Sequence, residues 1–312
     1  MKLPPLLDVH PARDTDYSIW PLAYCQSHMP YDFFGGSGLY SNKGIVTVPM
    51  IYTLVVGGEV GGKQHVALVD CGFQKGEWLK RYSFSGWEEP KDVLERVGFS
   101  PEDVDVILVT HMHFDHIGNF RAFPNAKLYI QLDEYLGWSE AVCSAHQNMN
   151  SDEERAWILS SFDPEDLVHA AEGLATGRLC FVRGEEEILP GITAHLAKDS
   201  HTFGTQFFMI RTHNGPFAVA GDAVYWYSNV EKMWPPGYNQ GNSFNQIKTF
   251  LQMREFLKNE TNRIIPGHDP VLWQRHLTWV TASGNQVAEV NLRDGDKSRK
   301  PYIIPAFTPE SS

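Results

Sequence analysis

The chain has 312 residues, 42% of them hydrophobic, which is enough apolar material for a sizeable core. Its formal net charge of −12 sets up a field that repels nucleic acid and anionic membrane surfaces, so neither is an expected partner. Four cysteines stand singly at Cys25, Cys71, Cys143 and Cys180, with no CxxC pair. That pattern suits reduced, mostly buried thiols in the cytoplasm and argues against a disulfide framework.

In chain order, the opening MKLPPLLDVHPARD contains prolines and no apolar run, so no leader is expected. Residues 1–44 are rich in Gly, Pro, Ser and aromatics and read as irregular loop with room for one early strand. GIVTVPMIYTLVVGG and KQHVALVDCGF follow, two β-branched runs around a glycine turn that predict a hairpin. The first run is broken by Pro49 and falls short of the ~20 residues a membrane-spanning helix needs. Pro90 at a first turn, the stripe Val93, Leu94 and Val97, and a closing Gly98 predict a helix. VDVILVT and AKLYIQ read as short strands. Residues 131–180 lack strand signals and carry caps at Ser151 and Asp163, predicting a helical insert. Strands resume with GITAHLA, TQFFMIRT and GPFAVAGD, the last two joined by an Asn214-Gly215 turn. SFNQIKTFLQMREFLKN predicts a helix with a capping box from Ser243 to Gln246, followed by the short strand RIIPGH.

The chemistry concentrates in LVTHMHFDHIGNF, which sets His111, His113, Asp115 and His116 within six residues at the end of an apolar strand. A helix would point residues two apart away from each other, and a strand would split neighbours across its faces. The stretch therefore predicts a loop that leaves the strand end and wraps around something. Imidazoles and carboxylates at this density suit a borderline metal such as zinc. The other histidines, at 10, 28, 65, 146, 169, 195, 213 and 276, lack ligand spacing and read as surface or packing residues.

HxHxDH followed by Gly118 resembles the signature of the metallo-β-lactamase superfamily. The resemblance implies three further ligands, and the chain offers His201 in KDSHTFGTQFF, Asp222 closing FAVAGD, and His268 in IIPGHDP. It runs in register from about Ile51 to about Pro270. Ligands so far apart must converge, which predicts a single domain over residues 1–312, and the resemblance implies an αββα sandwich. Within the superfamily the chain looks most like the N-acyl-homoserine lactonase and 4-pyridoxolactonase group. The features that carry this likeness are VPMIYTLVV, VTHMHFDHIGN and a tyrosine, Tyr225, three residues after Asp222. There are departures: H-T-P-G-H stands here as H-T-F-G-T, with Thr205 in place of a histidine that is not a ligand, and the lead segment and insert differ.

The resemblance implies two Zn2+ per chain, with Mn, Fe or Co as other divalent options. His111, His113, His201 and Asp222 would hold one ion; Asp115, His116, His268 and Asp222 the other. A hydroxide shared between the ions would open a lactone, with Tyr225 supporting the oxyanion and Asp115 carrying the proton to the leaving alkoxide. The partner expected is a small-molecule substrate, with homodimer formation left open. Cleavage of a cyclic amide, a thioester or a phosphoester is the alternative on the same centre, with iron-dependent oxidoreduction further back. Asp70 reads equally as the partner of a ligand histidine and as a turn residue; for Asp269 the turn reading is preferred. The aromatics of MPYDFFGG, with Trp157 and Phe162, are candidates for a substrate pocket.

Overall fold

The computed structural model describes residues 15–36, 43–60, 62–281 and 283–300. Fourteen strands occur among them: β1 (Tyr17–Pro30), β2 (Ile45–Val60), β3 (Lys63–Val69), β4 (Phe84–Ser85), β5 (Val106–Leu108), β6 (Lys127–Gln131), β7 (Leu179–Val182), β8 (Glu186–Leu189), β9 (Ile192–Leu196), β10 (Gln206–Ile210), β11 (Phe217–Gly221), β12 (Ile264–Pro266), β13 (Leu277–Val280) and β14 (Gln286–Glu289). The first sheet runs β13-β14-β1-β2-β3-β5-β6-β7, with β4 pairing β1, and the second runs β12-β11-β10-β9-β8. The helices are α1 (Tyr31–Phe34), α2 (Trp78–Arg81), α3 (Pro90–Arg96), α4 (Phe114–Ile117), α5 (Leu132–Asn148), α6 (Asp152–Arg155), α7 (Pro164–Ala175), α8 (Tyr227–Lys232), α9 (Ser243–Phe256) and α10 (Leu272–Arg275).

Side-chain alternation in the strands decides the layering. Along β1, Tyr17, Ile19 and Ala23 face the second sheet, where they meet Phe207, Phe208 and Val219. Trp20, Leu22 and Tyr24 point the other way, into a core closed by Val93 and Leu94 of α3, Trp138 of α5 and Ala170 of α7. β2, β3 and β5 repeat this split. Behind the second sheet, Phe250 and Met253 of α9 and Val230 of α8 complete the packing. The result is the expected αββα sandwich. Each large side chain taken wholly from water in these cores contributes roughly 1.5–3 kcal/mol.

The lead segment holds the one early strand for which it had room, but a long one: residues 17–30 form a 14-residue strand, the partner of β2 along most of its length. Both of its faces are buried, so it lacks the polar alternation that marks a half-exposed strand. Pro21 and Ser27 sit in it regardless, and a register shift at Ala23/Cys25 absorbs the irregularity. Beyond the last motif, β13 and β14 return to the first sheet, where Val287 pairs with Leu22 of β1. The insert is helical as expected, with Ser151 and Asp163 capping α6 and α7, but strands resume earlier than GITAHLA, at β7. Asn242, not Ser243, caps α9 by accepting from the Phe244 and Asn245 amides, which frees Gln246 for other work. The four cysteines are free, but only Cys25 and Cys71 are buried. No helix among the described residues is long and apolar enough to cross a membrane.

Candidate metal centre

The site lies where strands of the two sheets end side by side. β5 runs parallel to β3 and β6, and β11 parallel to β12, so their C-terminal ends open on one edge. His111 and His113 follow β5, and Asp115 and His116 sit in the single turn of α4, helical where a plain loop was expected. His201 lies between β9 and β10, Asp222 directly after β11, and His268 after β12. The sheets can meet this closely because residue 221 is glycine: a Cβ there would stand 2.5 Å from Thr110 Oγ1. Its φ of +49° is also in the left-handed region.

All seven residues are buried and fall into two adjoining groups that could hold metal ions. His111, His113, His201 and Asp222 form one, and Asp115, His116 and His268 the other, with ligand atoms in each group within 4.8 Å of one another. Asp222 spans both. Its Oδ2 lies 3.6 Å from His111 Nε2 and 3.4 Å from both His201 Nε2 and His116 Nε2. Its Oδ1 lies 2.9 Å from His268 Nε2. Asp115 Oδ2 is 3.4 Å from His116 Nε2 and 3.7 Å from His268 Nε2. His111 Nε2 and His116 Nε2 are buried without hydrogen-bond partners, both turned toward Asp222. Unpaired buried nitrogens are costly unless a cation claims their lone pairs, so the donor set fits a pair of divalent ions.

The electrostatics divide the histidines. Burial holds His111 well below its ordinary range, and lowers His113 to about 4 and His201 to about 3, so all three are neutral imidazoles. Burial also pushes His116 down, but the carboxylates of Asp222, Asp115 and Asp70 outweigh it and raise the imidazole well above its usual value. Burial would raise Asp222, yet His268 and His116 draw it well below the usual carboxylate range.

Outer contacts aim these side chains. Asp70 Oδ2 sits 2.7 Å from His116 Nδ1 while Oδ1 accepts from the Thr110 amide at 2.8 Å, so both readings of this residue describe it. Its backbone carries a positive φ of 62°. His268 Nδ1 donates to the Pro49 carbonyl at 3.0 Å. Asp269 accepts from the Tyr227 and Val271 amides, the turn role preferred for it. Sequence reasoning missed three residues. Glu134 of α5, wholly buried, accepts from the Met112 amide between two candidate ligands, from Thr202 Oγ1 and from the Gly204 amide, clamping two ligand loops together. Residue 204 must be glycine for this, since a Cβ would lie 2.3 Å from Glu134 N. Gln246 donates to the Asp222 carbonyl at 3.2 Å, and Gln240 Oε1 lies 2.8 Å from His113 Nε2. Glu134 carried only the weak signal of an acid in a first helical turn, and the glutamines carried none.

Above the centre opens a pocket. Phe33, Phe34, Met29 and Met50 line it from the N-terminal half, with Tyr82, Phe84 and Phe114 beyond them and Tyr225 and Tyr238 completing the wall. No Lys or Arg is among its lining residues. Tyr225 stands over His201 and His268, with ring centroids 5.3 and 5.4 Å away. Burial, then the Asp222 charge, lifts its hydroxyl well above the usual phenol range. Of the proposed pocket aromatics, Phe33 and Phe34 line it, but Trp157 is 61% exposed and Phe162 packs on Trp138 at 4.0 Å. Trp157 lies on the outer side of its turn, and Phe162 is spent on the core. His10 lies outside the described residues, and none of the other described histidines joins either group.

The strand-end ligand groups on a two-sheet sandwich define a class, and a family model describes the same class. The metallo-beta-lactamase superfamily model matches residues 47–268, and the chain belongs to that family. Among characterised proteins it is similar to an N-acyl homoserine lactonase of Bacillus sp, 28% identical over 180 residues, or 57% of this chain and 61% of the relative. It is also similar to the N-acyl homoserine lactonase AttM of Agrobacterium fabrum, 25% identical over 58% of this chain and 64% of that one. The chain thus spans less than two thirds of the length of these relatives. Two solved structures share the fold. A quorum-quenching N-acyl homoserine lactone hydrolase has a TM-score of 0.59 and 21% identity, covering 83% of this chain and 94% of that one. AidC, a dizinc quorum-quenching lactonase, has a TM-score of 0.60 and 16% identity over 90% and 96%.

Proposed function

We propose that this chain is a metal-dependent hydrolase that opens the ring of an uncharged lactone. The carrying observation is Asp222, whose two oxygens face two adjoining sets of buried imidazoles at the floor of an apolar pocket. His111, His113, His201 and Asp222 would hold one ion, and Asp115, His116, His268 and Asp222 the other. The lactonase relatives support the reaction type, and the dizinc neighbour supports zinc as the metal. Free cysteines throughout suit a cytoplasmic setting.

Ions held by these residues would supply Lewis acidity toward the ring carbonyl and an activated water as nucleophile. The chain's own side chains do the rest. Tyr225, kept protonated by burial and by Asp222, offers a hydroxyl donor to the oxygen on which negative charge develops. Asp115, at the pocket edge of the second group, takes up a proton and returns it to the departing alkoxide. The pocket's aromatic and methionine side chains orient an apolar substituent and exclude water. Phosphodiesters ordinarily call for cationic clamps, and this pocket has none among its lining residues.

A panel of lactones, lactams, thioesters and phosphodiesters in a pH-indicator assay tests the reading, because lactone opening releases one proton per turnover. Lactone turnover above all the others is expected. Phosphodiester cleavage without turnover on any ring size would overturn it.

A further inference from the structure

The segment between α8 and α9 lies beside the site, touches the His113 and His201 loops and reaches the Asp222 loop through Gln246. The Tyr238 amide donates to the Phe33 carbonyl at 3.0 Å, and its ring stacks on Phe33 at 4.4 Å. The Asn242 amide donates to the Asp199 carbonyl, two residues before His201, at 2.7 Å. Asn239 Nδ2 donates to Gln246, which in turn holds the Asp222 carbonyl. Between these, Gln240 reaches His113.

The geometry around Gln240 fixes both its amide and the ring it meets. Its Nε2 lies 2.9 Å from the Trp157 carbonyl and 3.2 Å from the Ile158 carbonyl. Both are pure acceptors, so the NH2 end of the amide must face them. The other end is then an oxygen, which can only accept, and it lies 2.8 Å from His113 Nε2. That nitrogen therefore carries the ring proton, and the lone pair of the neutral imidazole is on Nδ1. Nδ1 is the atom turned inward, 3.2 Å from His201 Nε2. His201 has no comparable support, since its Nδ1 is buried without a partner. We propose that Gln240 is a positioning residue for the centre: it selects the Nδ1-ligating tautomer of His113 and ties the orientation of that ring to the helical insert through the Trp157 and Ile158 carbonyls. The inference rests on the two-ion reading of the site and not on which bond is cleaved.

Metal binding tests it without any assay of turnover. Purified parent, Gln240→Leu and Gln240→Glu proteins are stripped of metal and titrated with Zn2+ against a chromophoric chelator, then with Co2+ followed by its visible absorption. Gln240→Leu should weaken one of the two binding steps by about 10–100-fold and change the Co2+ spectrum of that step, leaving the other within about threefold. Gln240→Glu keeps an acceptor at His113 but cannot donate to the insert, so it should hold both ions within about threefold of the parent while residues 157–158 exchange amide hydrogens faster. Parental affinity at both steps in Gln240→Leu overturns the proposal, as does equal weakening of both, which marks a merely structural role. A parent that takes up no ion sinks the two-ion reading itself, a result distinct from either.

Discussion

At the floor of the pocket the candidate ligands leave the ends of β5, β9, β11 and β12, or sit in the one turn of α4. At its walls the side chains come from α1, from the stretch around Tyr82 and from the segment before α9. The floor is welded to the double core, with Gly221 against Thr110 and Glu134 bridging two loops. The walls are tied mainly by aromatic stacking and single hydrogen bonds, such as Phe33 on Tyr238. Rigid strand ends suit a reaction that tolerates little misplacement, while loops and short helices can change shape without disturbing it.

The largest effect should come from breaking the floor. His111→Ala or Asp222→Ala is expected to lower metal content and reduce kcat/KM by on the order of a thousandfold or more. Elemental analysis with the lactone assay checks both; full activity at reduced occupancy would place the chemistry elsewhere. Next is the one wall residue proposed to touch the reacting oxygen. Tyr225→Phe should cost roughly 1–4 kcal/mol of transition-state stabilisation, seen in kcat at unchanged metal content. A parental kcat would return Tyr225 to packing.

A purely wall-forming residue should behave differently. Phe33→Ala is expected to raise KM for an apolar lactone about tenfold, with kcat and metal content little changed, because it removes contact area and not charge stabilisation. Loss of metal in this variant would dissolve the distinction between floor and wall.

A last effect, on stability and not on turnover, lies away from both. Burial, only partly offset by His169, lifts the Asp166 carboxyl in α7 to about 6. A carboxyl raised in the folded state favours folding below its ordinary value of 3.8, and that contribution is lost as pH rises through about 6. Relative to the parent, Asp166→Asn should therefore gain stability from pH 4 to pH 7, by on the order of 1–3 kcal/mol. Thermal unfolding at pH 4.5 and 8 checks the sign.

The grouping at the floor was legible in part because four residues of metal-ligand type crowd into six positions. His201, Asp222 and His268 were singled out by the family resemblance, and the fold brings them beside the other four. Their outer contacts were not legible. Glu134 and Gln240 meet their partners, backbone groups and for Gln240 also the His113 ring, only once the chain has folded, and beyond an acid in a first helical turn nothing in their local sequence sets them apart. The bounds of β1 were not legible for a related reason: a strand buried on both faces loses the polar alternation that announces a strand. The capping box at Ser243 failed because Asn242, one residue earlier, was the better acceptor.

The pairing of Leu22 with Val287 has a consequence for how the chain comes into being. During synthesis, β1 finds β2 soon after it and β4 then covers Gln26 and Ser27 on the other edge, yet the stretch around Leu22 stays open until more than two hundred further residues have followed. His111, His113, Asp115 and His116 can gather long before His268 exists. The last hairpin, β13 with β14, is thus the clasp that covers an exposed strand edge. Chains interrupted just after His268 would carry every candidate ligand and still leave the first half of one β1 edge unpaired, an invitation to aggregate.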